Sequence, residues 1–117
     1  MDKGLNQQNL PIIDREIALK LAGNKQALAT ELLDLLISGL QNDLNAIYDN
    51  LTVQNLTELA RRLHKLHGAC SYCGVTQLKN AIGNFEHILK KQKTEKLTSA
   101  FKKLELAAHQ LIEEASK

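Results

Sequence analysis

Four side chains that could act as nucleophiles or metal ligands fall at steps of three in His64-Lys65-Leu66-His67-Gly68-Ala69-Cys70-Ser71-Tyr72-Cys73-Gly74. Histidine and cysteine are both zinc-ligand types. Imidazole is also largely neutral at cellular pH, so its free nitrogen can attack without a separate base. A metal site, a phosphate or nucleophile site, and plain packing are the three readings. On a helix each step of three turns the side chain by about −60°, so Cys73 faces away from His64. Four residues on one straight helix therefore do not converge tetrahedrally, and His64 with His67 makes only two ligands. No native metal site is expected, and Cys70 and Cys73 read as small, partly buried core residues.

The same geometry gives the stretch its faces. Leu56, Leu59, Leu63, Leu66 and Cys70 share an arc roughly 80° to 160° away from His64, which is the core side. His64 then stands on a stripe beside Ala60 and Gly68, with Ser71 near and Arg61 and Lys65 flanking it. The nearby cations suit an incoming phosphoryl group. Gly68 inside a helix costs about 0.8–1 kcal/mol relative to Ala. Either the close approach of another molecule to His64 or a tight helix crossing would offset that cost. His87 and His109 read as ordinary surface or satisfied core histidines.

The elements that must hold this stretch are helical throughout. Asp14 and Gly23 bracket a short helix, about 15–22. Asn24 is placed to cap a long helix, about 25–50, whose seam is read as Leu28, Leu32, Leu35, Leu40, Leu44, Ile47 and Leu51. Asn55-Leu56-Thr57-Glu58 resembles a capping box and opens the helix of the reactive stretch, about 56–73, which Gly74 ends. A fourth helix, about 76–91, carries Leu78, Ile82, Phe85 and Leu89. Lys90-Lys91-Gln92-Lys93 is a solvated turn. The last helix, about 95–115, aligns Leu97, Phe101, Leu104, Ala108, Leu111 and Ala115. The expected fold is all-α: an antiparallel up-and-down four-helix bundle with a short additional N-terminal helix. Residues 10–117 form the domain and 1–9 a flexible N-terminal segment.

Composition narrows the class. At 117 residues, 44% of them hydrophobic, the chain makes one domain with one core. A net charge of +2 is too weak to argue for nucleic acid. Arg61, Arg62 and Lys65 form a basic patch, but no aromatic platform accompanies it. Two cysteines are no disulfide framework, which points to a reduced, cytoplasmic setting. No stretch has the roughly 18 uninterrupted apolar residues of a membrane span.

His64-Lys65-Leu66-His67-Gly68, followed after five intervening residues by Gly74, resembles the signature of histidine-containing phosphotransfer (HPt) domains. The resemblance covers about 10–110. It is most similar to the C-terminal HPt domain of BarA/GacS/LetS-type hybrid sensor histidine kinases. It implies that His64 accepts a phosphoryl group from a receiver-domain aspartate and passes it to a response-regulator aspartate. His67 then matches a position where Lys usually holds the phosphoryl oxygens, and Gly68 the glycine that leaves room for the group and the partner. Glu86 matches a Gln or Glu that accepts a hydrogen bond from the other imidazole nitrogen, though a solvated Glu is equally compatible with its place at the edge of an apolar face. Lys65, His67, Gly68 and Glu86 would support the transfer, and Arg61, Lys65, Gly68 and Ser71 would meet the partner.

The resemblance also implies a phosphoryl carrier rather than a self-sufficient catalyst, forming part of a hybrid sensor kinase. It would need no cofactor of its own, with Mg2+ on the partner receiver. It would be a monomer when isolated, without nucleic-acid or direct membrane contact. The competing reading is a helical protein-interaction domain without phosphotransfer activity.

Overall fold

The computed structural model describes residues 10–117, so the expected flexible segment 1–9 lies outside it. The described residues form five α-helices: α1 (Arg15–Leu21), α2 (Gln26–Thr52), α3 (Leu56–Cys70), α4 (Thr76–Lys90) and α5 (Leu97–Ala115). A 3-10 turn, Thr94–Lys96, precedes α5. Short turns join α2 to α5 in sequence, and α5 packs back on α2 to close the bundle.

Four faces meet in one core. Leu40, Leu44 and Ile47 come from α2, and Leu59, Leu63 and Leu66 from α3. Leu78, Ile82 and Phe85 come from α4, and Leu104, Ala108 and Leu111 from α5. Phe101 is buried beside the ring of the exposed Tyr48, with centroids 5.3 Å apart. Cys70 and Cys73 are free and buried in the same core. Burial, aided by the neighbouring Cys73, pushes the Cys70 thiol up to about 12.

Several elements depart from expectation. In the first half of α2 the buried row is Ala29, Leu33 and Leu36, while Leu28 and Leu35 are exposed and Leu32 is half-buried, as is Leu51 at the far end of the helix. Adjacent leucines give two rows of the same helical period, and only packing chooses between them. Asn24 does not cap α2: it takes a left-handed φ of 64°, and Lys25 stands at the N-cap without a side-chain bond. Asn55 does cap α3, its Oδ1 accepting from the Glu58 amide at 3.2 Å. The capping box stays half-made, because the Glu58 carboxylate turns to Arg61 and Arg62 instead.

Helix α3 stops at Cys70 rather than at 73. Ser71–Gly74 turn the chain, and Gly74 takes a φ of 69°. This turn is a joint. Asp14 donates its amide to the Gly74 carbonyl at 2.8 Å, and a Cβ at 74 would stand 2.6 Å from the Asp14 carbonyl oxygen. Asp14 also caps α1, accepting from the Ile17 amide at 3.0 Å. The joint therefore fixes where α3 ends and α4 begins, and with them the facing sides that carry the reactive stretch.

Candidate phosphoryl-accepting site

His64 lies in mid-α3 with its side chain 89% exposed. Ala60 and Gly68, one turn to either side, are exposed as well. A Cβ built on Gly68 would meet nothing within 4 Å. This decides between the two readings of that glycine: no helix crosses there, and the stripe is open to a visitor.

The facing element is α4. Glu86 reaches across to α3, but not in the expected way. Its Oε1 accepts from His67 Nδ1 at 2.5 Å, while its Oε2 stands 3.8 Å from His64 Nδ1. The second distance exceeds a hydrogen bond. The reason lies in where the two rings sit. His67 leans against α4 and is only 32% exposed, whereas His64 projects into solvent. Next to His67, α4 carries Gly83, whose absent Cβ would lie 3.8 Å from the ring Cε1.

The cations around His64 are not equivalent. Arg61 is bound to its own helix: its Nε donates to Glu58 Oε1 at 2.8 Å and its Nη2 to Oε2 at 2.5 Å, while Arg62 adds 3.0 Å to Oε2. The hydrogen bond from Arg61 is the main reason that Glu58 is held down to about 2. Lys65 is exposed and forms no such pair among the described residues. It sits in the field of Asp43 on α2, whose carboxyl is raised by burial and lowered in part by Lys65 and Arg62. Ser71 is half-buried at the end of α3 and returns its hydroxyl to the His67 carbonyl at 3.1 Å, two turns from His64. Of the expected flanking residues, Lys65 and Gly68 therefore stand open beside the acceptor. Arg61 is engaged and Ser71 is remote.

A groove missed by the sequence reading runs from His64 between α3 and α4. Thr57 and Ala60 line one side, Leu89, Lys90 and Lys93 the other. The signal was present, since antiparallel pairing must bring the C-terminal end of α4 beside the N-terminal half of α3. The lysines were read only as a solvated turn. His64, His67, Cys70 and Cys73 do not converge: the imidazoles face out and the thiols face in. Among the described residues no three His, Cys, Asp or Glu side chains gather as ligands for an ion, and no helix is long and apolar enough to cross a membrane.

Comparison with known proteins gives the family and the fold. The family model of the Hpt domain matches residues 31–116. The chain is similar to the sensor histidine kinase GacS of Pseudomonas protegens, at 37% identity over 106 residues, which are 91% of this chain and 12% of that protein. It is similar to the signal transduction histidine-protein kinase BarA of Escherichia coli, at 37% identity over 68 residues, covering 58% of this chain and 7% of that one. The chain thus spans only about a tenth of the length of these curated relatives. The crystal structure of the HPT domain from a Shewanella hybrid histidine kinase matches with a TM-score of 0.64 at 27% identity, covering 88% of this chain and 95% of that one.

Proposed function

This chain belongs to the Hpt domain family, the histidine phosphotransfer modules of phosphorelays, and from that premise we propose that His64 is the residue that carries the phosphoryl group. The observation that supports this most is the pairing of full exposure with an adjacent carboxylate. His64 offers its ring to a partner, and Glu86 stands where it can take the Nδ1 proton side of that ring.

The step follows from that arrangement. The Nε2 lone pair attacks the phosphorus of a receiver aspartyl phosphate. The N–P bond forms as the acyl O–P bond breaks, and the aspartate leaves as a carboxylate. The Nδ1 proton stays on the ring, where the Glu86 carboxylate offsets the charge that develops. Transfer onward to a response-regulator aspartate is the same exchange reversed, with the lone pair returning to Nε2. Mg2+ and the acidic pocket belong to the receiver in this reading. The open stripe at Ala60 and Gly68 admits that pocket, and Lys65, Lys90 and Lys93 face its negative charge. The whole protein would be a hybrid sensor kinase with this domain as its phosphoryl carrier.

The test is incubation with a phosphorylated receiver domain and Mg2+. The chain should acquire acid-labile, alkali-stable phosphate. His64→Gln should lose all labelling while its helicity and melting stay those of the wild type. Labelling that survives in His64→Gln and disappears in His67→Gln would move the acceptor to His67.

A further inference from the structure

Resting on the reading of His64 as acceptor, we propose that His67 is a positioning residue that acts through Glu86. It anchors the carboxylate by its Nδ1–H. The second carboxylate oxygen is thereby turned to His64, selects the Nδ1–H tautomer there, and leaves Nε2 free as the nucleophile.

The geometry on both sides of Glu86 leads to this. A carboxylate only accepts hydrogen bonds, so the 2.5 Å contact requires the proton to sit on His67 Nδ1. With that nitrogen committed, Nε2 of a neutral His67 carries a lone pair and has no proton to offer a phosphoryl oxygen. A direct phosphate-holding role would need the doubly protonated ring. An indirect role needs only the bond already present.

Burial separates the anchor from the acceptor. His67 and Glu86 are 32% and 25% exposed, fixed between α3 and α4, whereas His64 is 89% exposed. Oε2 is left 3.8 Å from His64 Nδ1, and nothing packs around the exposed ring to oppose the small rotation that closes the gap. Without the anchor, Glu86 would regain its rotamers. Lys90, one turn further along α4 and exposed, would then compete for it as an i,i+4 partner. The His67 ring lies beside Gly83 of α4, its Cε1 at ordinary contact distance, 3.8 Å, from where a Cβ would stand.

Two substitutions separate this role from a direct contact. The amide nitrogen of Asn falls near the place of imidazole Nδ1, and that of Gln near Nε2. His67→Asn should keep transfer from the phosphorylated receiver within about threefold of wild type, while His67→Gln should slow it at least tenfold. The reverse order would assign His67 to the phosphoryl oxygens and overturn the proposal, as would equal rates for both variants. A second measurement needs no variant. Nitrogen-15 spectra of the wild-type domain at about pH 8 should place the proton of both rings on Nδ1, with His64 reverting to the Nε2–H form in His67→Gln or Glu86→Ala. A wild-type His64 already in the Nε2–H form would refute the positioning role. Because the tautomer is read without any receiver present, a domain that shows it but accepts no phosphate would overturn the functional reading and leave the His67–Glu86–His64 arrangement standing.

Discussion

Gly68 and Gly74 stand on either side of the end of α3, one helical and one in the turn beyond, and they meet opposite surroundings. A methyl group at Gly68 would project into empty space. At Gly74 it would press on the Asp14 carbonyl at 2.6 Å and on Ala18 at 3.0 Å, with the backbone already at a φ of 69°. The same residue type thus marks an open surface in one place and a closed joint in the other. The joint is where glycine holds the fold together. On the surface, glycine costs helix stability and gains only access for a partner.

The largest effect should come from the joint. Gly74→Ala adds a left-handed alanine, worth about 1–2 kcal/mol, and a backbone overlap. A total loss of about 2–3 kcal/mol is expected at such a site, lowering the melting temperature by roughly 10 °C or more. Thermal melts followed by circular dichroism check this, and an unchanged melt would erase the contrast. Gly68→Gln should do the reverse. Helix propensity favours the variant by up to about 1 kcal/mol, so melting stays equal or rises. Phosphotransfer should nonetheless slow at least tenfold, because the new side chain fills the approach to His64. A variant that melted much lower would show that Gly68 too is a packing glycine.

Lys65→Glu tests whether the open face also steers its partner. The rate of transfer should fall, and added salt should weaken the wild type more than the variant, as rim charges act mainly on association. Rates insensitive to both changes would leave access as the only contribution of that face.

Asp43 should give the smallest change. Burial raises its folded-state pKa, so the folded chain holds this proton more tightly than the unfolded chain. Its contribution to stability is therefore full below the ordinary carboxylate range and is lost as pH rises through the raised value. Asp43→Asn should raise the melting temperature slightly at pH 7 and leave it unchanged near pH 3. A variant destabilised at pH 7 would mean that attraction to Lys65 and Arg62 outweighs burial.

What the sequence made legible follows the same division. Strong periodicity located the long helices, because Leu59, Leu63 and Leu66 or Leu104, Ala108 and Leu111 leave one arc to bury, and the caps Asp14 and Asn55 marked the starts of α1 and α3. Periodicity could not choose between the two leucine rows of α2, since Leu32-Leu33 and Leu35-Leu36 satisfy both. It placed the turns after α2 and α4 but not the residues that make them. Gln54 and Gln92 take left-handed φ values of 58° and close α2 and α4 with the bonds Asn55 N–H to Asn50 O and Lys93 N–H to Ile88 O. Glycine does this at Gly23 and announces itself, whereas glutamine carries no such signal. At the site, the exposure of His64 and the nearness of Glu86 were readable from the wheel and the motif. Which imidazole holds the carboxylate was not, because it depends on how α4 sits against α3.

The strap that leads into α1 has a consequence for the order in which the molecule assembles. The Leu10 and Pro11 carbonyls accept from Gln77 Nε2 at 2.6 Å and from Thr76 Oγ1 at 2.5 Å, across sequence separations of 67 and 65 residues. Ile12 and Ile13 pack against the core beside them. The helical hairpins need only short turns to close, while the strap must close a loop of more than sixty residues, at an additional entropic cost of roughly 2–3 kcal/mol. Contacts so distant in sequence form once the hairpins have already met. The strap should therefore dock after the bundle has formed and open before it in the native ensemble. The Asp14 amide, bonded to Gly74, should exchange its hydrogen while the amides of mid-α3 remain protected.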